Sequence, residues 1–211
     1  MRDNPRYALT DAHEIAELVR ANPWCRVVSH VPGAGLVASH YPMLVDEDDD
    51  GLTLLSHVGR PDERLHRLGT SELLVIVEGP HGYISPSWYG TSPVVPTWNF
   101  TAAHLTGTPE ILGDDENLRV LARLVEHFER PLPEPQLLEG LNAEYAERIV
   151  SGTVGFRMRV ERIVAKRKLS QDKPREVRER IIRALREPGP YRQPQLASDM
   201  EAHALRDGAD A

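Results

Sequence analysis

The segment 79–99, GPHGYISPSWYGTSPVVPTWN, holds the side chains of this chain that are best suited to bind a flat ligand. It contains two of the three tryptophans, two of the six tyrosines, one histidine and four prolines within 21 residues. Proline lacks an amide hydrogen and fixes φ, so the run is predicted to be neither an ordinary helix nor a central strand. Aromatic rings in such a run either stack on a planar ligand or anchor a structured loop in a core, and both interpretations stay open.

Two other residue types with catalytic potential are interpreted as structural. The single cysteine, Cys25, lies in a strand-like run and is predicted to be a small buried hydrophobe rather than a nucleophile. One cysteine also excludes an internal disulfide and any metal cluster with several thiolate ligands. The Ser85-Pro86-Ser87 step has no GxSxG elbow and no visible partner base, which argues against a hydrolase.

Composition and charge narrow the class of protein. With 211 residues, 40% hydrophobic and 27% charged, the chain is typical of a globular protein. It has no apolar run close to the length of a membrane span, roughly 20 residues, and no apolar N-terminal leader. It is therefore predicted to be a cytoplasmic protein that does not associate with a membrane. The net charge is −7, yet 157–186 carries 12 basic and 4 acidic residues. This basic segment either contacts nucleic acid or an anionic cofactor, or it is a solvated helix face.

The elements that must position these residues are mostly strands. Strands are predicted at 24–31, 36–45, 52–57, 73–77, 100–112 and 152–164, and helices at 10–22, 61–68, 115–129, 137–150 and from 174. Short turns between strands predict a mainly β fold with helical additions, an α+β antiparallel barrel. The absence of GxGxxG and GxxxxGK motifs argues against the nucleotide-binding folds. We expect a single domain over 1–186 and a disordered tail over 187–211.

Five ordered motifs give the chain a specific resemblance. They are ASHYPM at 38–43, LSHVGRP at 55–61, GPHGYISPSWY at 79–89, VPTWNF at 95–100 and KRKLSQD at 166–172. Together they resemble the PaiB-type family, whose members are known as FMN-binding negative transcriptional regulators, over about residues 5–185. The resemblance implies a split β-barrel of the FMN-binding and pyridoxamine-oxidase-like type, a homodimer, and a cofactor held near the subunit interface.

The resemblance leaves two functions open. One branch of the family binds haem b and forms L-piperazate by closing the N–N bond of N5-hydroxy-L-ornithine with loss of water. Other members resemble flavin-binding regulators without catalytic activity. Here GRPDE at 59–63 departs from the Ala-Arg-Ala-Asn-Pro-like run common in regulators, and no helix-turn-helix is evident. The first expectation is therefore a haem-dependent cyclase acting on an N-hydroxylated amino acid, and the alternative is an FMN-binding regulator that contacts DNA.

The resemblance also implies roles for residues in the LSH motif and directly after it. His57, at the end of a predicted strand, would be the axial ligand of haem iron, with His40 and His81 as weaker candidates. Arg60 and Arg64 would pair with haem propionates or a flavin phosphate, or else form surface ion pairs with neighbouring carboxylates. No residue is assigned to proton transfer.

Further contacts are implied by the aromatic segment and the last motif. Trp88, Tyr89 and Trp98 would wall a porphyrin or an isoalloxazine by stacking, or else close the end of the barrel. Lys168 would reach a neighbouring subunit's cofactor, or its motif would cap the last helix. His66 and His104 are predicted to lie on a helix surface and a strand face.

Overall fold

The computed structural model of the chain describes residues 4–46, 51–138 and 143–209. Its α-helices are α1 (Ala12–Ala21), α2 (Arg60–His66), α3 (Asp114–Glu129), α4 (Ala143–Gly152), α5 (Arg175–Arg186) and α6 (Pro194–Ala209). Its strands are β1 (Trp24–Val31), β2 (Gly35–Pro42), β3 (Leu44–Val45), β4 (Thr53–Gly59), β5 (Leu73–Ile84), β6 (Thr97–Gly107), β7 (Glu110–Ile111), β8 (Thr153–Arg159) and β9 (Arg162–Lys168). None of the helices in these described ranges has the length and apolar character needed to cross a membrane.

The strands form two antiparallel sheets, in the orders β2-β1-β5-β6-β9 and β3-β4-β8-β7. The β1–β2 hairpin turns through Gly33 and Gly35, whose φ angles of 87° and 82° are accessible mainly to glycine. In the second sheet, the β4–β8 ladder runs from Thr53 opposite Arg159 to Gly59 opposite Thr153. The mainly β, α+β architecture predicted from the sequence is confirmed.

The described residues divide into two compact units that interleave along the chain. We call residues 11–46, 51–77, 104–138 and 143–163 the sheet unit, and residues 4–10, 78–103 and 164–209 the hairpin unit. In the sheet unit, helix α3 packs its apolar stripe on a cluster that includes Leu44, Leu55 and Leu112. In the hairpin unit, α5 and α6 lie against each other over a cluster centred on Ile181, Leu185 and Leu196.

The prediction that 79–99 forms no central strand is wrong at both of its ends, because β5 and β6 are interior strands of the first sheet. Strand β5 continues through the Gly-Pro-His-Gly step to Ile84, and β6 begins at Thr97. The register between β1 and β5 covers Leu74 to Ile76, so Pro80 lies four residues beyond it. At that position the missing amide hydrogen of proline removes no bond to β1, which explains why a strand tolerates it.

The predicted disorder of 187–211 is also wrong for 194–209, and residues 210–211 lie outside the described residues. Residues 194–209 form α6, and Leu196, Ala197 and Met200 are buried against α5, whose predicted apolar stripe is buried as expected. The composition of this segment is polar on average, but its few apolar residues recur at spacings of three and four, which align them on one helix face. Both helices belong to the hairpin unit, so the predicted boundary at residue 186 has no structural counterpart.

Candidate functional site

His57 lies near the end of β4 in the sheet unit, as the sequence predicted. Its ring is half-buried, and its Nδ1 atom is fully buried without a hydrogen-bond partner among the described residues. Burial lowers the pKa of His57 below its ordinary value of 6.5, because the low-dielectric surroundings disfavour the imidazolium. His57 is therefore a neutral imidazole at pH 7, the form that can bind a metal ion through a nitrogen lone pair.

The two arginines that follow His57 lie on helix α2. The Arg60 guanidinium is 3.3 Å from the Glu63 carboxylate and 3.4 Å from the carbonyl oxygen of Ser151. Arg64 is exposed. Arg60 thus forms the local ion pair that the sequence left as an alternative to a cofactor contact, although a guanidinium keeps further N–H donors for an anion.

Helix α2 is fixed to β1 and β2 by a buried histidine. His66 is 2% exposed, with Nδ1 2.8 Å from Ser29 Oγ and Nε2 3.0 Å from Ser39 Oγ. The expectation that His66 lies on a helix surface is therefore wrong, because this side of the short helix packs on the sheet. Burial lowers the pKa of His66, and the nearby Asp62 carboxylate opposes that shift.

A second polar contact also joins α2 to β2. The Tyr41 hydroxyl donates to Asp62 at 2.6 Å and accepts from the Gly59 amide at 3.4 Å.

Cys25, also in the sheet unit, is fully buried, and burial raises the pKa of its thiol to about 12. The prediction that Cys25 is a structural hydrophobe is confirmed, since such a thiol stays protonated at neutral pH.

Trp98 belongs to an array of four aromatic rings in the hairpin unit. The Tyr83 ring lies 6.2 Å from Trp98, edge-on, and 4.9 Å from Tyr191, and the Trp88 ring lies 6.5 Å from Tyr191. Trp98 is 55% exposed and Tyr191 is 48% exposed. We call these four residues the aromatic array; it presents a partly open apolar surface of the kind that planar ring systems stack on.

Tyr89 packs in the protein core and does not belong to the aromatic array. It is buried in the cluster beneath α5, and the Lys173 ammonium lies 5.9 Å from the centre of its ring. Its carbonyl oxygen accepts a 2.5 Å hydrogen bond from Arg180. Trp88 is intermediate, because it contacts the same cluster while its ring meets Tyr191.

Lys168 lies on the opposite side of β6 from Trp98. Its ammonium donates to the Thr97 hydroxyl, and successive residues of a strand point to opposite faces. On the same side as Thr97, Asn99 and Ser170 exchange hydrogen bonds of 2.9 and 3.1 Å. Burial lowers the pKa of Lys168 from its ordinary value. The side chains of Lys168, on β9, and Trp98, on β6, therefore lie on opposite faces of the sheet.

The predicted residues therefore form separate groups. His57 and Arg60 are close along the chain in the sheet unit, Trp88 and Trp98 are joined through two tyrosines in the hairpin unit, and Lys168 stands apart from them. Sequence reasoning missed Tyr83 and Tyr191. Tyr83 lay within the aromatic segment, but Tyr191 lay in the predicted disordered tail, where an aromatic residue was itself a signal of packing.

Comparison with known proteins identifies the family. Residues 1–162 match the family described as "Putative FMN-binding domain". The chain is 36% identical, over 172 residues, to "Protease synthase and sporulation protein PAI 2" of Bacillus subtilis strain 168, an alignment that covers 80% of this chain and 82% of that protein. The chain belongs to the PaiB-type FMN-binding family. The match to the family ends at residue 162, so α5 and α6 lie beyond it.

Two solved structures share the fold of this PaiB-type protein. The FAD and haem binding protein of Mycobacterium smegmatis superimposes with a TM-score of 0.56 and 16% identity, covering 77% of this chain and 73% of that one. The flavocytochrome Anf3 of Azotobacter vinelandii gives a TM-score of 0.58 and 13% identity, covering 80% and 72%. The fold is the split β-barrel type predicted from the sequence.

Proposed function

We propose that this protein binds FMN and acts as a PaiB-type transcriptional regulator, without catalytic activity of its own. The observation that carries the proposal is the family match, which spans 1–162 and extends to 36% identity with PAI 2. The sequence ranked a haem-dependent cyclase first. The comparisons support the flavin-binding alternative better, since the family to which the chain belongs is an FMN-binding one.

The aromatic array is the part of the hairpin unit that suits an isoalloxazine ring. FMN would bring a flat, redox-active ring system and a phosphate. The half-exposed Trp98 would stack on that ring. Tyr83 would hold Trp98 in place by its edge-on contact, and Tyr191 would support Tyr83. The array fits the group because its rings already contact one another, so little side-chain entropy is lost when a ligand binds.

The phosphate of FMN requires a cationic partner. Lys168 lies on the other side of β6 from Trp98, so within one chain the two residues would not serve the same FMN molecule. In the predicted homodimer, Lys168 would instead contact the FMN held by the aromatic array of the partner subunit. Arg60 and Arg64 remain the predicted contacts within the sheet unit.

Contact with DNA would fall to the outer face of α5. Arg175, Arg183 and Arg186 are exposed there, while the opposite stripe of the helix is buried. Arg175 pairs with Glu179 at 2.7 Å and Arg186 with Glu201 at 2.5 Å. Exposed ion pairs of this kind are worth about 0–1 kcal/mol, so a phosphate can compete for the guanidinium groups.

The proposal is tested by the colour and the DNA affinity of the purified protein. We expect a flavin spectrum after reconstitution with FMN, one FMN per chain, and salt-dependent binding to the DNA upstream of its own gene or its neighbours. Protein that takes up no FMN, or that binds the upstream DNA no better than unrelated DNA, contradicts the proposal.

A haem-dependent cyclase of the piperazate synthase type is a second candidate, favoured by one observation. His57 offers a half-buried, neutral imidazole near the end of β4, and a neutral imidazole keeps one nitrogen lone pair for a metal ion. Haem needs a single axial donor of this kind, and its iron would supply a Lewis acid to the N–O bond of an N-hydroxylated amino acid. No group of three metal-binding side chains occurs in the part of the chain that the structure describes, so His57 would act alone.

The second candidate has its own test. Titration with ferric haem should give a Soret band in the wild type, and His57→Ala should remove stoichiometric binding. His30→Ala is the matched control, because His30 is an exposed histidine of the same unit. An unchanged ferric spectrum in His57→Ala protein would exclude His57 as the ligand.

A further inference from the structure

Two buried polar atoms of the sheet unit, His57 Nδ1 and Asn117 Oδ1, have no hydrogen-bond partner among the described residues. They are chemically complementary, because the N–H of a neutral imidazole donates and an amide oxygen accepts. A buried polar atom left unpaired costs about 1–3 kcal/mol, so two complementary ones in the same unit call for a common explanation.

The β4–β8 ladder and helix α3 place His57 and Asn117 beside the same residue, Gly155. His57 stands directly opposite Gly155, and side chains of directly opposed residues lie on the same face with Cβ atoms about 4.5–5.5 Å apart. Gly155 has no side chain, and a Cβ built there would lie 2.9 Å from Asn117 Oδ1 and 3.0 Å from Asn117 Cα. Asn117, reaching in from α3, therefore occupies the place of the cross-strand neighbour of His57.

The orientation of the Asn117 amide is set by its other end. Its Nδ2 group donates to the Thr153 carbonyl oxygen at 3.3 Å and to the Thr153 hydroxyl at 3.1 Å. With both N–H donors directed at Thr153, the oxygen is the end that faces Gly155 and the side of His57. Asn117 is 2% exposed, so bulk water does not satisfy this oxygen.

We propose that the Nδ1–H of His57 donates to one water molecule that in turn donates to Asn117 Oδ1, and that this bridge fixes His57 in the Nδ1–H tautomer with its lone pair on Nε2. Asn117 is then a positioning residue, and Nε2 is the nitrogen left to bind a metal ion or accept a proton. Its role in orienting an iron ligand rests on the haem-binding candidate above, whereas the tautomer itself does not.

The tautomer is measured on cofactor-free protein. Long-range ¹H–¹⁵N correlation spectra of histidine-labelled protein distinguish the two ring nitrogens, and His57→Gln identifies the signals of His57 by their loss. We expect a protonated Nδ1 and an unprotonated Nε2 at neutral pH. A protonated Nε2 in the wild type overturns the proposal.

Three variants then test the role of Asn117. Asn117→Leu removes the acceptor at similar volume and should convert the single tautomer into a mixture, whereas Asn117→Asp keeps an acceptor and should retain Nδ1–H. Thr153→Val is the matched control, because it removes a partner of Nδ2 but leaves Oδ1 in place. An unchanged tautomer in folded Asn117→Leu overturns the proposal. If that variant does not fold, a shift to Nε2–H in Asn117→Asp does so.

Haem titration separates this inference from the function on which its second part rests. Loss of such an outer contact lowers metal affinity by about 10–100-fold, so Asn117→Leu should weaken haem binding by that factor relative to Thr153→Val. Wild-type protein that shows the Nδ1–H tautomer but takes up no haem overturns the haem candidate and leaves the Asn117 contact supported. Equal haem affinity in Asn117→Leu and Thr153→Val overturns the positioning role.

Discussion

The exposed tryptophans of the two units have different surroundings. Trp24 of the sheet unit is 65% exposed and stacks, at 6.2 Å, on the single exposed ring of His40. Trp98 of the hairpin unit is 55% exposed but is one of four rings in contact with one another. Exposure alone therefore does not identify a ligand surface. We expect a set of rings that hold each other in place to be the better ligand surface, because a flat ligand then meets an ordered apolar surface.

The polar side chains of His66 in the sheet unit and of the arginines of α5 in the hairpin unit also differ in their surroundings. In the sheet unit, His66 is turned inward, where it bonds to Ser29 and Ser39 and holds α2 on β1 and β2. In the hairpin unit, the outer face of α5 carries arginines toward solvent. His66 of the sheet unit thus fixes one helix to two strands, whereas the exposed arginines of α5 in the hairpin unit face solvent. Substitution of His66 should accordingly affect stability, and substitution of the exposed arginines of α5 should affect DNA binding.

The largest effect that we predict concerns the core of the hairpin unit. Leu196→Ala should lower the free energy of unfolding by about 2–5 kcal/mol, because Leu196 is fully buried between α6 and α5. Leu205→Ala, on the same helix, should change it by less than about 0.5 kcal/mol, because Leu205 is 76% exposed. Urea denaturation of both variants checks this. Equal effects would mean that α6 does not pack as described.

That helix shows what the sequence could and could not predict about the fold. The stripe of α5 was evident because Val177, Ile181 and Leu185 repeat at helical spacing. Helix α6 was missed because few of its residues are apolar and buried, namely Leu196, Ala197 and Met200, so the average composition resembled a disordered tail. What makes it a helix is the apolar surface that α5 leaves open, and only the tertiary structure reveals that surface.

The next effect concerns the buried histidine of the sheet unit. His66→Ala should destabilise the protein by about 1–3 kcal/mol, because the Ser29 and Ser39 hydroxyls lose their common partner in the interior. The exposed His30 provides the control, and His30→Ala should have little effect. If both variants unfold at the same urea concentration, the network does not hold α2 in place.

The same histidine should make stability depend on pH. Its pKa in the folded protein lies below the ordinary value of 6.5, so between the two values the unfolded chain binds more protons. Stability should therefore fall as the pH is lowered through 6.5 toward the folded pKa of His66. His66→Gln cannot take up this proton, so its stability deficit relative to the wild type should shrink at acid pH. A constant deficit at all pH values would contradict the direction of the shift.

The candidate site was predictable to a smaller extent than the fold. His57 at a strand end and Trp98 in an aromatic run followed from motifs, because the residue types themselves carry the chemistry. The Asn117 contact did not, since it depends on the absence of a side chain at Gly155 and on the approach of α3 to β8. Tyr89 illustrates the opposite error: an aromatic residue in the right motif is buried in a core.

A smaller effect distinguishes the two exposed tryptophans. Trp98→Ala should weaken FMN binding by about 0.5–1.5 kcal/mol, roughly a 2- to 12-fold rise in Kd, because it removes one stacked ring. Trp24→Ala should leave the Kd unchanged, since Trp24 has no aromatic array around it. Fluorescence titration of FMN checks both variants. Equal losses, or no loss in Trp98→Ala, would remove the aromatic array from the flavin site.

The smallest effect tests whether the arginine face of α5 binds DNA. Arg183→Ala should lower the slope of log K against log salt by about 1, since one phosphate contact is lost, and should weaken specific and unrelated DNA alike. Arg119 on α3 is the control in the sheet unit, because it is 68% exposed and its nearest carboxylate, Glu116, is 4.0 Å away. Arg119→Ala should not change the slope. Equal slopes in both variants and the wild type would place the DNA contact elsewhere. Equal decreases in both would show that binding follows the total charge of the protein and not the face of α5.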